Sequence, residues 1–225
     1  MNGMNTLFMN DPVWFLQNIC VDNQAMQLGG AGALTLTRLN AAKVGQFDLV
    51  LSGSAGANKV VLTDASVGSG HVIARDAPIP AYWCPFLPGG GLPGWVDVPR
   101  ASPPLRFIFT AAMQGCAYAV TSSPAGAGFF RVFHNQHPTT ASTWQAITQA
   151  GANVLSTLTY DQYGGGGLTN AFNILWRPPR KAWSYVSQTN RFVPSAPPRG
   201  VRNYRPVIGI ERDLTKPILD LPAGV

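Results

Sequence analysis

Short stretches in which apolar and polar residues alternate follow one another along most of the chain. Because successive side chains of a strand point to opposite faces, this pattern predicts β-strands separated by turns. The predicted strands cover residues 33–39, 46–52, 58–64, 71–77, 105–113, 117–122, 129–135, 171–177 and 182–188. Between them, the segment AYWCPFLPGGGLPGW at 81–95 is predicted to be an irregular loop that packs against the body, because it combines prolines and glycines with aromatic residues.

Helical periodicity is less frequent. Residues 142–155 place five residues on one helical face behind a Ser142 or Thr143 cap: Trp144, Ile147, Gly151, Val154 and Leu155. A second, short helix is predicted within an N-terminal packing segment at 1–30, and a Pro-rich basic tail at 193–225. We therefore expect a single domain spanning 1–225, of the α+β class but mostly β. Its core would be β-sandwich-like or a mixed sheet, with one or two helices and long loops.

The composition supports a strand-and-loop domain. Only 12% of the residues are charged, 46% are hydrophobic, and the chain of 225 residues contains 24 glycines and 19 prolines. So many helix breakers exclude a coiled coil or a helical bundle, and the apolar content is too high for an unfolded chain. A chain of this length is long enough to bury a core without disulfide support.

Positive charge is concentrated in the second half of the chain, which carries twelve basic and four acidic residues from position 100 onward. The stretch from Arg177 to Arg205 contains seven cations and no acid, with aromatic residues interleaved: Trp176, Trp183, Tyr185, Phe192 and Tyr204. This pattern predicts a surface that meets phosphates or an acidic protein partner. The prolines in the stretch argue against a recognition helix, so we expect no obligatory nucleic-acid partner.

Cysteine usage and targeting signals give weaker indications. The three cysteines, Cys20, Cys84 and Cys116, match neither a disulfide framework nor the spacing of a structural zinc site. No basic residue precedes Arg38, so a classical signal peptide is not expected. The uncharged residues 107–130 contain glycines, a proline and polar side chains, and are predicted to form two strands around a turn rather than a membrane span. The oligomeric state is not indicated.

The segment CAYAVTSSPAGAGFFRVFH at 116–134 contains the main candidate site. SSPAGAG predicts a turn, and a hairpin centred on Ala125 would place Cys116 opposite His134 on one face. Opposed residues of an antiparallel pair have Cβ atoms about 4.5–5.5 Å apart, so the imidazole could reach the thiol. A thiolate–imidazolium pair of this kind is a nucleophile suited to acyl chemistry. Gly115 would allow a sharp turn that leaves the backbone N–H groups of Gly115 and Cys116 available to an oxyanion.

Structural explanations of the same residues stay open. Cys116 could be a buried apolar residue and His134 a residue at a strand end, and a register change of one residue would separate their faces. His134 and His137 could chelate a metal, but the Glu of an H-E-x-x-H motif is missing. His71 is expected to be structural or exposed. Cys20 and Cys84 are expected to be buried thiols, with Cys84 able to approach the site through the 81–95 loop.

The stretch FIFTAAMQGC at 107–116, followed by a hairpin that ends in RVFH, resembles the core of the glutamine deamidases of the cytotoxic necrotising factor type, which include Burkholderia lethal factor. The resemblance covers about residues 80–135. It implies that Cys116 is the nucleophile, that His134 assists, and that the main-chain carbonyl of Thr110 orients His134. Asp161 and Asn135 are alternative orienting residues. Met113 and Gln114 stand where the family has Leu and Ser, and the Cys–His interval of 18 residues is longer than expected.

The resemblance implies a bacterial toxin or effector, secreted or injected, that acts in the host cytosol. It would convert a specific glutamine of a host protein to glutamate through a thioester, with no metal or organic cofactor. The host protein would be of the translation-initiation helicase class or the Rho-family GTPase class. The same Cys–His pair would also serve a protease or a transglutaminase. A third alternative is a non-catalytic β-rich binding module that uses the basic and aromatic C-terminal surface.

Overall fold

Two β-sheets lie face to face at the centre of the protein, and helices pack on their outer faces. The computed structural model describes residues 3–26, 31–51, 59–65, 76–87, 89, 91–101, 103–151, 153–163, 169–191 and 216–217. The α-helices in these residues are α1 (Met4–Asn10), α2 (Pro12–Asn18), α3 (Ala31–Ala42), α4 (Ala141–Gly151) and α5 (Tyr160–Tyr163). The strands are β1 (Cys20–Asp22), β2 (Val44–Leu51), β3 (Lys59–Asp64), β4 (Ile79–Cys84), β5 (Gly94–Pro99), β6 (Phe107–Thr110), β7 (Ala117–Ser122), β8 (Phe129–Asn135), β9 (Val154–Leu158), β10 (Thr169–Trp176), β11 (Ser184–Arg191) and β12 (Lys216–Pro217).

The two sheets differ in size and strand direction. The larger sheet has eight strands in the order β1-β3-β2-β4-β6-β10-β11-β12. Its β1–β3 and β4–β6 pairs are parallel, whereas its other pairs are antiparallel. The smaller sheet has four antiparallel strands in the order β5-β8-β7-β9. The parallel pairing of β4 with β6 brings the last residues of both strands, Cys84 and Thr110, side by side.

Three apolar layers hold these elements together. The layer between the sheets contains residues of both, among them Ile108 and Tyr185 from the larger sheet and Val132 from the smaller. A second layer lies between the larger sheet and the N-terminal helices, where Phe8 and Phe15 are completely buried. A third, smaller layer packs α4 on the outer face of the small sheet. Burial of these aromatic and aliphatic side chains is the main contribution to the stability of the fold.

The predicted fold class is confirmed, since the protein is mixed α+β and mostly strand. The described part of the chain has five α-helices, however, rather than one or two. The N-terminal segment contributes two of them, and its Phe15 and Leu16 are buried while Trp14 is exposed. Of the Pro-rich tail at 193–225, only Lys216 and Pro217 lie within the described residues.

Three predicted elements are wrong. Residues 33–39 belong to helix α3 and not to a strand. The alternation of Leu and Thr there also puts Leu36 and Leu39 three residues apart, and alanines at both ends favour a helix. The predicted helix at 142–155 ends at Gly151, and Val154 and Leu155 lie in β9.

The third error concerns the predicted loop at 81–95. Both of its ends are strands, because residues 81–84 lie in β4 and residues 94 and 95 lie in β5. Both segments pair with neighbouring strands, and the aromatic side chains of Tyr82, Trp83 and Trp95 favour strands. The predicted strand at 105–113 is shorter than expected and forms β6. For the predicted strand at 71–77, residues 71–75 lie outside the described residues.

No helix in the described part of the chain is long and apolar enough to cross a membrane. The uncharged stretch at 107–130 instead forms β6, β7 and the beginning of β8.

Candidate active site

The hairpin that carries the candidate pair has a different register from the predicted one. Tyr118, not Cys116, lies opposite His134, and Val120 pairs with Val132. Two consecutive turns, closed by hydrogen bonds from Gly126 N–H to Ser123 O and from Phe129 N–H to Gly126 O, shift the centre of the hairpin from Ala125 to Gly126. Gly126 has a φ of +120°, which favours glycine at this point.

This shift moves the register by two residues and therefore keeps every side chain on its predicted face. Cys116 packs in the layer between the sheets, together with Tyr118 and Val132. His134 follows the same alternation, and its ring lies 6.5 Å from the ring of Tyr118 and 5.3 Å from that of Phe86. Cys116 thus shares a face and an end of the hairpin with His134 but occupies a diagonal position, and its Sγ contacts Gln114 O at 3.9 Å.

Thr110 contacts His134 directly, but through its side chain and not through the main-chain carbonyl that the resemblance implies. The hydroxyl Oγ1 of Thr110 lies 2.6 Å from Nδ1 of His134 and 2.8 Å from the carbonyl oxygen of Cys84. The main-chain carbonyl of Thr110, which the resemblance implied as the orienting group, instead accepts a hydrogen bond from the Asn23 side chain. The contact joins the two sheets, because Thr110 ends β6 and His134 lies in β8.

These two contacts determine which nitrogen of His134 carries the proton. The carbonyl of Cys84 can only accept, so the single hydroxyl proton of Thr110 is donated to it. The hydroxyl oxygen must then accept from His134, which means that Nδ1 is the protonated nitrogen of the neutral ring. The other nitrogen, Nε2, keeps its lone pair. It is buried and has no hydrogen-bond partner among the described residues.

Cys116 lies in the turn immediately before β7. Gly115 has a φ of +78°, and this left-handed conformation places the amides of Gly115 and Cys116 outside the regular strand. The hydroxyl of Tyr163, from the short helix α5, donates a 2.6 Å hydrogen bond to the carbonyl oxygen of Cys116. The position of the turn is therefore fixed by a residue that is itself buried in the layer between the sheets.

Burial keeps both candidate groups neutral. Desolvation lowers the pKa of His134 to about 3, because its ring is completely buried. Desolvation also raises the pKa of the Cys116 thiol, and its contact with the Gln114 backbone only partly offsets the effect. The predicted thiolate–imidazolium pair is thus disfavoured in this structure. The arrangement provides a neutral thiol and a neutral imidazole whose free nitrogen can accept a proton.

The other candidate residues lie in different environments. Cys84 is completely buried, 3.4 Å from the Val132 carbonyl oxygen, and burial raises the pKa of its thiol. Asn135 points to the opposite face of β8 and accepts a hydrogen bond from the backbone N–H of His137. Asp161 is exposed on α5.

Metal binding has no visible support in the described residues, which contain no group of three or more His, Cys, Asp or Glu suited to an ion. His137 is exposed in the loop after β8, whereas His134 is buried in the strand. Cys20 is a buried thiol in β1, in the first strand of the larger sheet. His71 lies outside the described residues.

Three residues of the site were missed at the sequence level. Phe86 packs against the His134 ring, Tyr163 holds the Cys116 turn, and Gly94 fits against Pro85 so closely that an added Cβ would lie 2.0 Å from the Pro85 carbonyl oxygen. The glycine-rich sequence at 88–94 is a signal that could have indicated close backbone approach. The distant Tyr163 carries no such signal, since only the tertiary fold brings it to Cys116.

Comparison with protein-family models finds no family that matches the chain, and comparison with curated proteins finds no match.

Proposed function

We propose that the protein is a cysteine-dependent protein-glutamine deamidase, a bacterial toxin or effector that converts a glutamine of a host protein to glutamate. The observation that carries this proposal is the Thr110–His134 contact, which leaves Nε2 of a buried histidine unpartnered. An orphaned buried nitrogen has an energetic cost and therefore calls for an explanation. A proton-accepting role toward the nearby Cys116 thiol provides one.

In the first half of the proposed reaction, Sγ of Cys116 attacks the side-chain carbonyl carbon of the glutamine. His134 Nε2 takes the thiol proton as the S–C bond forms, so no separate thiolate is needed beforehand. The backbone N–H groups of Gly115 and Cys116 stabilise the negative oxygen of the tetrahedral intermediate. The imidazolium then gives its proton to the amide nitrogen. The C–N bond breaks, ammonia departs, and a thioester between Cys116 and the substrate remains.

In the second half, water replaces ammonia. Neutral His134 accepts a proton from the water molecule as its oxygen bonds to the thioester carbon. The C–S bond then breaks, and the Cys116 sulfur recovers its proton from the imidazolium. The product is glutamate. Throughout, the Thr110 hydroxyl accepts from Nδ1 and stabilises the positive charge that forms on the ring.

Two further features support the proposal. The resemblance of residues 107–134 to the necrotising-factor deamidases suggests this chemistry, with a host helicase or GTPase as the class of target. The charges in the site suit a neutral amide substrate, because neither Cys116 nor His134 is ionised at rest. Cys116 and His134 occupy diagonal positions, which in a regular ladder lie about 7–8 Å apart and remain within reach of a ring side chain such as imidazole.

A proteomic experiment tests the reaction. Purified full-length protein is added to a host-cell lysate, and peptides are searched for a gain of about one dalton at glutamine, the change when NH₂ becomes OH. The Cys116→Ala variant should lose the modification, while Cys20→Ala, which removes a buried thiol in another part of the fold, should retain it. A modification that persists in Cys116→Ala would refute the assignment. Cleavage or cross-linking would indicate the protease or the transglutaminase instead.

The non-catalytic binding module is the second candidate, and the burial of both groups favours it. Cys116 is only 7% exposed and His134 is not exposed at all. Timed labelling with iodoacetamide at neutral pH separates the two candidates. The deamidase requires Cys116 to react faster than Cys20 and Cys84, and His134→Asn to slow it. Equal, slow labelling of all three thiols would support the binding module.

A further inference from the structure

Five cations gather at the end of the two sheets that lies away from Cys116 and His134. Arg100 follows β5, Arg106 precedes β6, Arg177 follows β10, and Arg180 and Lys181 lie in the connection to β11. We call these five residues the basic end. Sheet pairing brings them together, because the β10–β6 ladder leads directly into a hydrogen bond from Arg177 N–H to Arg106 O.

A contact between two aromatic rings links the smaller sheet to the larger sheet at the basic end. Phe130 and Trp183 meet edge to face with ring centroids 5.7 Å apart. Phe130 lies beside Phe129, whose carbonyl oxygen accepts from Arg100 Nε at 3.0 Å, and Trp183 lies two residues after Lys181. The two sheets therefore place their cations on the same end of the molecule.

Backbone carbonyls, and not carboxylates, orient three arginines of the basic end, Arg100, Arg106 and Arg177. Nε of Arg106 donates to Arg177 O at 3.1 Å, and Nε of Arg177 donates to Lys181 O at 3.2 Å, as Nε of Arg100 does to Phe129 O. None of the five forms an ion pair within the described part of the chain. By contrast, three other described cations have carboxylate partners: Arg38, Lys59 and Arg131. Three guanidinium groups are thus held in place without a carboxylate partner in the part of the chain that the structure describes.

Of the aromatic residues interleaved with these cations in the sequence, the three that the structure describes are buried or half-buried, whereas Arg180 and Lys181 are exposed. Trp183 and Tyr185 are buried between the sheets, and Trp176 packs against the layer under the N-terminal helices. Single-stranded nucleic acids are bound through exposed aromatic rings that stack on bases, and duplex readers insert a helix or a ribbon into a groove. Among the described residues, the basic end offers cations on loops without either device. A flexible chain of carboxylates suits it better, because guanidinium groups pair with carboxylates in a planar geometry.

We infer that the basic end is a docking surface for an acidic, Asp- and Glu-rich segment of a partner protein. If the proposed function is correct, that partner is the protein substrate. The surface then anchors the substrate away from the reacting amide, since β8 runs from Phe129 to His134, a rise of roughly 17 Å. Only this identification of the partner rests on the proposed function, whereas the binding of an acidic segment does not.

Fluorescence anisotropy with full-length protein tests the surface. The probes are a labelled peptide of alternating Glu and Ser, its Lys and Ser counterpart, and labelled single-stranded and duplex DNA. The Glu peptide should bind best, and more weakly as salt increases. The variant Arg180→Gln with Lys181→Gln should weaken this binding by about 2- to 30-fold, the loss of two exposed ion pairs. A matched control, Gln145→Glu with Gln149→Glu, makes the same change in net charge on the exposed face of α4 and should change affinity by less than twofold.

Three outcomes would overturn the inference. Equal weakening in the control pair would mean that net charge alone attracts the peptide. Tighter binding of either DNA than of the Glu peptide would mean a nucleic-acid surface. A triple variant, Glu211→Gln with Asp213→Asn and Asp220→Asn, neutralises acids of the chain itself. An increase of tenfold or more in its affinity for the Glu peptide would mean that these acids already occupy the surface. The Cys116→Ala variant should bind the peptide normally, so failure of docking and failure of catalysis are distinguishable.

Discussion

Replacing Thr110 by Val removes the group on which the arrangement of the site depends. Valine has nearly the shape of threonine, so the packing at the end of β6 is retained, but the hydroxyl that contacts His134 Nδ1 and Cys84 O is lost. Without it, nothing in the observed contacts holds the proton on Nδ1. We expect part of the His134 population to move its proton to Nε2, which cannot then act as a base.

The magnitude follows from the two contacts. A neutral hydrogen bond contributes a net free energy of about 0.5–1.5 kcal/mol, which corresponds to a shift in the tautomer ratio of about 2- to 13-fold. The rate of Cys116 labelling, and of any deamidation, should fall with the population of the active tautomer, by at most the same factor. In addition, the buried Nδ1–H and the Cys84 carbonyl lose a partner, so the free energy of unfolding should fall by about 1–3 kcal/mol.

Three measurements check this expectation. Long-range proton–nitrogen NMR correlations of the imidazole report which nitrogen of His134 is protonated, iodoacetamide labelling reports the reactivity of Cys116, and urea unfolding reports stability. Thr110→Ser retains the hydroxyl and should behave nearly as the parent protein. Thr121→Val is the matched control, because Thr121 is equally buried but its hydroxyl donates to the Ser122 carbonyl, away from His134.

The reasoning is refuted if Thr110→Val leaves both the tautomer and the labelling rate of Cys116 unchanged while it destabilises the fold. Thr110 would then be only a structural link between the sheets. A loss of labelling in Thr121→Val as large as in Thr110→Val would also refute it, since the effect would then come from general destabilisation.

Two further predictions concern stability. Because burial lowers the pKa of His134 to about 3, below its value of 6.5 when unfolded, the folded state binds fewer protons between these values. The free energy of unfolding, measured in urea, is therefore unaffected by protonation of His134 above pH 6.5. It should fall by up to about 1.4 kcal/mol per pH unit as the pH is lowered from 6.5 toward 3. The variant His134→Gln should lack this contribution to the pH dependence. Gly94→Ala should lower the free energy of unfolding by about 1–3 kcal/mol or more, because its Cβ would overlap the Pro85 carbonyl oxygen. Gly128→Ala is the control and should not lower it, because its Cβ would meet nothing within 4 Å. Equal stabilities of the two variants would contradict the packing argument.

The hairpin shows how far sequence patterns can reach. The bounds of β7 and β8 agree with the predicted strands at 117–122 and 129–135, because alternation and the SSPAGAG turn are local signals. The predicted register was wrong by two residues, because the register depends on the conformation of the connecting turns. Two glycines in these turns can adopt several backbone conformations, so the sequence does not specify which one forms. A register error of two residues leaves each side chain on its predicted face of the sheet. For this reason Cys116 and His134 still lie on the same side.

Helix α3 shows where local patterns fail. Its Leu and Thr residues fit a strand as well as a helix, and the choice is made by contacts distant in sequence: Leu39 is completely buried against the larger sheet, and Arg38 pairs with Asp64 at the end of β3. The basic stretch is similar. Its charge was visible in the sequence, but the burial of Trp183 and Tyr185, and the presence of Arg100 and Arg106 beside it, were not.

By itself, the sequence determined the fold class, most of the strands and which residues are candidates for the site, because these depend on residue type and on periodicities of a few residues. The tertiary structure alone decided which atoms meet. It gave His134 the Thr110 hydroxyl instead of the carbonyl and placed Tyr163 on the Cys116 turn. It also buried both groups, which raises the pKa of the thiol and lowers the pKa of the imidazole. Contacts between distant segments and the exclusion of solvent are properties of the packed chain, and no local pattern encodes them.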